Sequence, residues 1–125
     1  MSGNNMFLDT NAVLYLLNGD EKLAELLYGN QLFISFITEI ELLGYKNLSQ
    51  KDLGEIKNFI SLCTVIDMNK DIKLITIDLR SKYSIKLGDS MIAATSIYFE
   101  LPLVTADKHF EKISELNLIL YKLIK

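Results

Sequence analysis

Short apolar runs alternate along this chain with longer amphipathic stretches, and this alternation constrains the fold more than any other feature of the sequence. The apolar runs have the length and composition of buried strands, whereas the stretches between them repeat apolar residues at helical spacing. Strands that alternate with helices form βαβ units, in which the strands pair in parallel and helices cover the sheet. The sequence therefore predicts an α/β fold, a three-layer α/β/α sandwich around a central, mostly parallel sheet of about five strands.

Turn and capping residues set the boundaries of these predicted elements. Gly19 ends the first helix, and Ser49 is a typical N-cap because Asp52 follows it in the first turn. The predicted strands are Met6–Leu8, Leu32–Phe36, Thr64–Met68, Leu103–Thr105 and Leu118–Tyr121. The predicted helices are Thr10–Asn18, Asp20–Tyr28, Thr38–Lys46, Ser49–Leu62, Lys70–Lys82, Gly88–Phe99 and Lys108–Ile113.

Length and composition predict one domain over residues 1–125, with Met1–Asn5 as a flexible N-terminus. Hydrophobic residues make up 50% of the 125 residues, which is enough to bury a core and excludes general disorder. The longest uncharged stretch, Leu26–Thr38, is shorter than the roughly 20 residues that cross a bilayer, so we expect no membrane span. The single cysteine, Cys63, fits a reducing cytoplasm.

Four acidic residues lie where a predicted strand turns into a helix, or at the start of the helix that follows a strand. They are Asp9, Glu41, Asp89 and Asp107. The carboxyl ends of parallel strands share one edge of the sheet, and ligands bind in the crevice at that edge. We therefore expect these four side chains to converge, although they are far apart in the sequence.

Each acid also has a purely structural explanation. Aspartate before a helix commonly caps it by accepting backbone hydrogen bonds, which would account for Asp9, Asp89 and Asp107. Thr38 and Glu41 have the spacing of a capping box. Taken singly, none of the four requires a catalytic role.

Glu39 is an alternative to Glu41 as the second acid. At about 100° per residue the two side chains lie roughly 200° apart on a helix, so only one of them faces the crevice. Glu41 shares its face with Ile37, Ile40 and Gly44, which predicts that it points toward packed structure. An ionised carboxylate in packed structure needs a partner, and this favours Glu41 as a ligand.

Four carboxylates in one crevice would repel one another and raise one another's pKa unless a cation compensated them. Oxygen-only donors suit Mg²⁺ or Mn²⁺. The net charge of −3 provides no general positive field for phosphates, but without these four acids it changes to +1. Bound cations would therefore make the crevice attractive to a polyanion.

The residues around the four acids resemble the motifs of PIN-domain ribonucleases, in particular the VapC-type toxins of type II toxin–antitoxin pairs. The resemblance spans nearly the whole chain. Its four motifs are Leu8–Asn11 (LDTN), Thr38–Gly44 (TEIELLG), Gly88–Ala94 (GDSMIAA) and Leu103–Phe110 (LVTADKHF).

This resemblance implies a metal-dependent endoribonuclease that hydrolyses RNA phosphodiester bonds. The implied catalytic residues and metal ligands are Asp9, Glu41, Asp89 and Asp107, which would hold one or two Mg²⁺ or Mn²⁺ ions. Such a site needs no histidine base, which agrees with the presence of a single histidine, His109, in the sequence.

Three further polar residues near the motifs are candidates to orient the waters around the metal. They are Thr10, Asn11 and Thr105. For Thr10 and Asn11, ordinary chemistry at the start of a helix is an equally good explanation.

The resemblance also implies partners, namely an RNA substrate, a cognate antitoxin protein and a second copy of the chain in a homodimer. Two other function classes stay open. One is a PIN-like binding module that does not cut. The other is an aspartyl-phosphate phosphatase or receiver domain, although the phosphatase needs an acid where Asn11 stands and the receiver needs an acidic pair near Asp9.

Overall fold

In the computed structural model, which describes residues 4–121, five parallel strands form one sheet in the order β3-β2-β1-β4-β5. The strands are β1 (Asn5–Leu8), β2 (Gln31–Ser35), β3 (Thr64–Ile66), β4 (Leu103–Thr105) and β5 (Leu118–Leu120). The helices are α1 (Thr10–Leu17), α2 (Glu21–Leu27), α3 (Phe36–Leu43), α4 (Gln50–Ser61), α5 (Lys70–Lys82) and α6 (Leu87–Phe99), with a 3-10 helix at Lys108–Lys112. The predicted α/β fold with a parallel five-stranded sheet is confirmed.

The central strand β1 shows why helices must cover both faces of the sheet. Successive side chains of a strand point to opposite faces. Met6 and Leu8 belong to a core that includes Leu23 of α2, whereas Phe7 between them packs in a second core with Ile92 of α6. A strand that is apolar on both faces is stable only between two helical layers.

The chain changes direction across the sheet at β1. It runs from β1 to β2 and β3 on one side, then crosses to β4 and β5 on the other. In the register, Leu8 of β1 lies beside Val104 of β4. The next residues, Asp9 and Thr105, are therefore neighbours at the carboxyl end of the sheet, where open α/β sheets bind their ligands.

The N-terminal strand begins earlier than predicted. Asn5 belongs to β1, and the backbone N–H of Asn4 donates to the Asn30 side chain at 2.9 Å. The Gln31 N–H donates in turn to the Asn4 carbonyl at 3.0 Å. The flexible terminus predicted for Met1–Asn5 therefore does not include Asn4 and Asn5, and residues 1–3 lie outside the described part of the chain.

Helix α3 begins directly after β2, two residues before the predicted start. Ser35 ends the strand and caps the helix, because its hydroxyl accepts the Ile37 N–H at 3.1 Å. Thr38 therefore lies inside the helix, where it is fully buried, and the predicted capping box of Thr38 and Glu41 is wrong. The serine hydroxyl accepts one of the free N–H groups of the first turn before the chain reaches Thr38.

None of the helices within residues 4–121 combines the length and the apolar character that a bilayer crossing requires.

Candidate active site

Asp9 lies at the crevice between β1 and β4 and is only 4% exposed. One carboxylate oxygen accepts the Ala12 N–H at 2.8 Å, which caps α1. The other accepts the hydroxyl of Thr105, which ends β4. Asp9 is therefore both a helix cap and a bridge across the point where the strand order reverses.

Burial raises the pKa of Asp9 to about 6, although hydrogen bonds from Thr105 and Ala12 act in the opposite direction. The negative charges of Asp89 and Asp107 raise this pKa further. Carboxylates that raise one another's pKa are close enough to repel. Three of the four predicted acids thus share one electrostatic environment.

Asp107 is bound to the same threonine. Its backbone N–H donates to the Thr105 hydroxyl oxygen at 3.0 Å, while that hydroxyl donates its proton to Asp9. The Asp107 carboxylate accepts the His109 N–H at 2.8 Å and lies 2.9 Å from the Nδ1 atom of the same residue. Asp107 thus caps the 3-10 helix, as the capping explanation predicted, and at the same time faces the other acids.

Asp89 lies in the first turn of α6 and does not cap it. The helix begins at Leu87 with Lys86 at the cap position, so the capping explanation for Asp89 is wrong. Burial and the charge of Asp107 raise the pKa of Asp89, Lys86 lowers it, and Glu41 raises it. Asp89 therefore interacts electrostatically with both Asp107 and Glu41.

Glu41 reaches the crevice through a chain of hydroxyl groups. Thr10 donates to the Glu41 carboxylate at 2.6 Å, and its oxygen lies 2.9 Å from the hydroxyl of Thr38. Because the single Thr10 proton goes to Glu41, Thr38 is the donor to Thr10. Two threonines on different helices thus hold the Glu41 side chain at the start of α1.

Glu41 faces the other acids but does not point into packed structure, so the predicted orientation is wrong. Glu41 is exposed, and Ile40 beside it is 59% exposed. Helix α3 packs instead through Thr38 and Leu42, which are both fully buried. The periodicity of apolar residues assigned the buried face to the wrong side of this short helix. Glu39 is half-buried.

Thr10 and Thr105 bind the acids directly, whereas the third predicted candidate, Asn11, is exposed in the first turn of α1. Sequence reasoning missed Thr38 as a residue of the site. Its spacing of three residues from Glu41 places both on one face of a helix, and this spacing would have been a usable signal once α3 was known to start earlier.

A cleft of about 500 Å³ opens beside the acids. Asp89 and Asp107 line it together with Lys86, His109 and Lys112. The Lys112 ammonium donates to the backbone carbonyl of Ser84 at 2.8 Å, so it is held at the rim. The cleft therefore combines two acids with two lysines, Lys86 and Lys112, which together are called its basic wall.

The donor set of the four acids suits a divalent cation, but the side chains are not arranged around one. In the described part of the chain, no group of three or more Asp, Glu, His or Cys side chains has an arrangement that would hold a metal ion. Protein donors occupy both oxygens of Asp9 and one oxygen of Glu41. The oxygen donors and their mutual repulsion fit Mg²⁺ or Mn²⁺, and binding would require the carboxylates to exchange some of these hydrogen bonds for the ion.

Fold and site together define an α/β protein with a cluster of carboxylates at the reversal point of its parallel sheet. The sequence model of the PIN domain family matches residues 6–116, and the chain belongs to this family. No curated protein is significantly similar to the sequence. Membership confirms the predicted family resemblance and agrees with the architecture of the sheet.

Solved structures of toxin–antitoxin complexes have the same fold. The chain is 27% identical to one in a toxin–antitoxin complex from Klebsiella pneumoniae, with a TM-score of 0.81 over 94% of this chain and 99% of that one. It is 26% identical to a chain of VapBC-1 from nontypeable Haemophilus influenzae, with a TM-score of 0.73 over 93% and 97%. For DNA-bound VapBC from Salmonella typhimurium the identity is 23% and the TM-score 0.80, over 94% and 98%.

Proposed function

We propose that this protein is a metal-dependent endoribonuclease and the toxin of a type II toxin–antitoxin pair. The observation that carries the proposal is the convergence of Asp9, Asp89 and Asp107, with Glu41 beside Asp89, in the crevice of a PIN-family sheet. The similarity to a chain of the Klebsiella pneumoniae toxin–antitoxin complex supports the toxin role. The proposed substrate is RNA, and the proposed compartment is the cytoplasm.

In this proposal the four acids hold one or two Mg²⁺ or Mn²⁺ ions. When bound, the ion supplies a water of lowered pKa and neutralises charge on the leaving oxygen of the phosphodiester. Thr105 orients Asp9 and the backbone of Asp107, while Thr10 orients Glu41. These hydrogen bonds keep the carboxylates at the crevice before an ion binds, and binding would replace some of them.

The deciding experiment measures cleavage of a total small-RNA mixture by the purified protein with Mn²⁺, Mg²⁺ or EDTA. We expect cleavage with either metal, none with EDTA, and none by the Asp9→Asn variant. Asp71→Asn is the matched control, because Asp71 is an exposed acid in the first turn of α5 and lies outside the cleft. Circular dichroism establishes that each variant is folded.

Two outcomes would contradict the proposal. Cleavage that persists in EDTA or in the Asp9→Asn variant would exclude this metal site. The absence of cleavage by the folded protein with every metal would favour the PIN-like binding module instead. The aspartyl-phosphate alternative is not proposed, because the family match is to PIN domains.

We also propose an antitoxin and a second copy of the chain as protein partners. Of the leucines in α1 and α2, Leu23 and Leu27 are buried in the core, whereas Leu14 and Leu17 line a groove against Ile56 of α4. This groove, which Asn18, Asp52 and Glu55 also line, is the candidate antitoxin contact. Light scattering tests the homodimer. Growth arrest on expression, relieved when a candidate antitoxin is expressed together with this chain, tests the antitoxin.

A further inference from the structure

We propose that the basic wall of the cleft, formed by Lys86 and Lys112, binds the sugar–phosphate backbone of single-stranded RNA beside the bond that is cut. This inference rests on the proposed ribonuclease function and assigns a substrate-binding role to two residues outside the four motifs. Three features of the structure support it: the position of the two lysines, the availability of their charges, and the way Lys112 is held.

The position of the lysines places positive charge next to the acids. Lys86 and Lys112 come from different segments of the chain, the start of α6 and the end of the 3-10 helix, and line the same cleft as Asp89 and Asp107. A polyanion that presents one phosphate to the acids and their metal extends its neighbouring phosphates along the cleft. Cationic side chains that line the same cleft favour the binding of such a strand.

The charges of the two lysines are available to a ligand. Within residues 4–121, neither ammonium lies at ion-pair distance from a carboxylate. Lys82 shows the contrast, because Asp78 at 3.0 Å and Glu115 at 3.3 Å already compensate it. Lys86 lies close enough to Asp89 to lower the pKa of that acid, but the two form no ion pair, so both ammonium groups can attract a phosphate locally.

Lys112 is also partly pre-organised. A lysine ammonium has three donors, and one of them is used in the bond to the Ser84 carbonyl at 2.8 Å. The remaining donors stay at the rim of the cleft. Anchoring the side chain before the ligand arrives reduces the entropy that binding would otherwise cost.

The test measures binding rather than cleavage, so that it does not depend on catalysis. The protein is the 125-residue chain carrying Asp89→Asn. The probe is a fluorescein-labelled uridine dodecamer, whose anisotropy is followed over a series of salt concentrations. A homopolymer is suitable because phosphate contacts carry no sequence information. Removing the Asp89 charge also prevents a change at Lys86 from acting through that acid.

We expect Lys112→Gln to weaken binding about three- to tenfold at low salt. The same variant should reduce the slope of log K against log salt by about 0.7, which is the value for one lost phosphate contact on a single strand. Lys86→Gln should give a similar change, and the double variant about twice the change in slope. Lys57→Gln is the control, because Lys57 is an exposed lysine of α4 that does not line the cleft.

Binding by Lys112→Gln and Lys86→Gln that matches Lys57→Gln would overturn the assignment. So would a parent protein that does not bind the dodecamer at low salt. Neither result affects the nuclease proposal, which the cleavage of the small-RNA mixture by the unmodified chain tests separately. Conversely, lysine-dependent binding without any cleavage would support the basic wall and contradict the nuclease.

Discussion

At the residue scale, Thr105 connects the two ends of the site. It lies 96 positions from Asp9 in the sequence, yet its hydroxyl donates to that carboxylate and accepts the backbone N–H of Asp107. Thr10 does the same for Glu41 and Thr38. Asp9, Glu41 and Asp107 therefore each accept a hydrogen bond from a specific protein donor, whereas Asp89 accepts none among the bonds described above.

Glu41 and Glu39 give a matched pair of substitutions. Glu41→Gln should reduce RNA cleavage about 100-fold or more, the scale of loss when one electrostatic group is removed from an active site. Glu39→Gln should keep nearly full activity, because only Glu41 is bonded to Thr10 beside the other acids. Initial cleavage rates of the two folded variants check this. Equal losses of cleavage activity in the two variants would show that activity depends on the integrity of helix α3 and not on the Glu41 carboxylate.

The burial of Cys63 predicts that its thiol reacts slowly in the native protein. Burial raises the pKa of this thiol to about 11, and its side chain packs against the first core. At pH 8 very little of it is thiolate, which is the reactive form. Modification by a disulfide reagent should be at least about 100-fold slower in the native protein than in urea, since an ordinary cysteine has a pKa near 8.5. Equally fast modification in both would contradict the packed thiol.

At the scale of elements, the ends of helices decide where the acids point. The cap of Ser35 starts α3 early enough to bring Thr38 and Glu41 to one face beside α1. The start of α6 at Leu87 places Asp89 in the first turn, where its side chain faces the cleft instead of capping the helix. The residue at which each helix begins therefore decides whether its carboxylate faces the site or caps the helix.

The end of α6 carries local strain that a substitution can relieve. Glu100 has a left-handed conformation with φ of 54°, which costs a side chain about 1 kcal/mol or more. Glu100→Gly should raise the free energy of unfolding by about 0.5–1 kcal/mol, after the larger entropy of glycine in the unfolded chain is subtracted. Urea denaturation measures it.

Asn47 provides the control for that substitution. It also has a positive φ, of 62°, but asparagine tolerates this conformation better than glutamate does. Asn47→Gly should therefore change the stability less than Glu100→Gly. A destabilised Glu100→Gly variant would indicate that the glutamate side chain stabilises the fold in a way that its backbone conformation does not account for.

At the scale of the whole molecule, the reversal of strand order concentrates negative charge at one edge of the sheet. Burial, together with the charges of neighbouring acids, raises the pKa of both Asp9 and Asp89, which means that their ionised forms oppose folding. Function and stability therefore make opposite demands on the same residues. Charge that a cation would compensate is destabilising for the protein without metal.

This conflict predicts that Asp89→Asn stabilises the protein without metal and weakens its stabilisation by Mg²⁺. In EDTA, Asp89→Asn should melt at a higher temperature than the unmodified protein, because it removes a charge that burial and Asp107 disfavour. MgCl₂ at tenfold its dissociation constant should raise the melting temperature of the unmodified protein by about 4 °C. The rise should be smaller for Asp89→Asn.

Asp71→Asn is the control in this melting experiment too, because Asp71 is exposed in α5 and lies outside the cleft. It should keep the full response to Mg²⁺. The metal assignment fails if Asp89→Asn responds to Mg²⁺ as strongly as the unmodified protein does.

The order of strands and helices and the parallel sheet followed from the sequence alone, which also predicted a site of four acids. Local periodicity and capping chemistry act over a few residues, so most predicted elements lie within one or two residues of their place in the structure. The four acids were predicted to converge because the carboxyl ends of parallel strands share one edge.

Only the tertiary structure decided how these acids are held and what surrounds them. The bonds from Thr105 to Asp9 and from Thr10 to Glu41 join residues far apart in the chain, and no local pattern encodes such pairs. The exposure of Glu41 depends on which face of α3 the neighbouring helices cover, which a helix of eight residues does not specify alone. The basic wall of Lys86 and Lys112 exists because packing brings two distant segments to the same cleft.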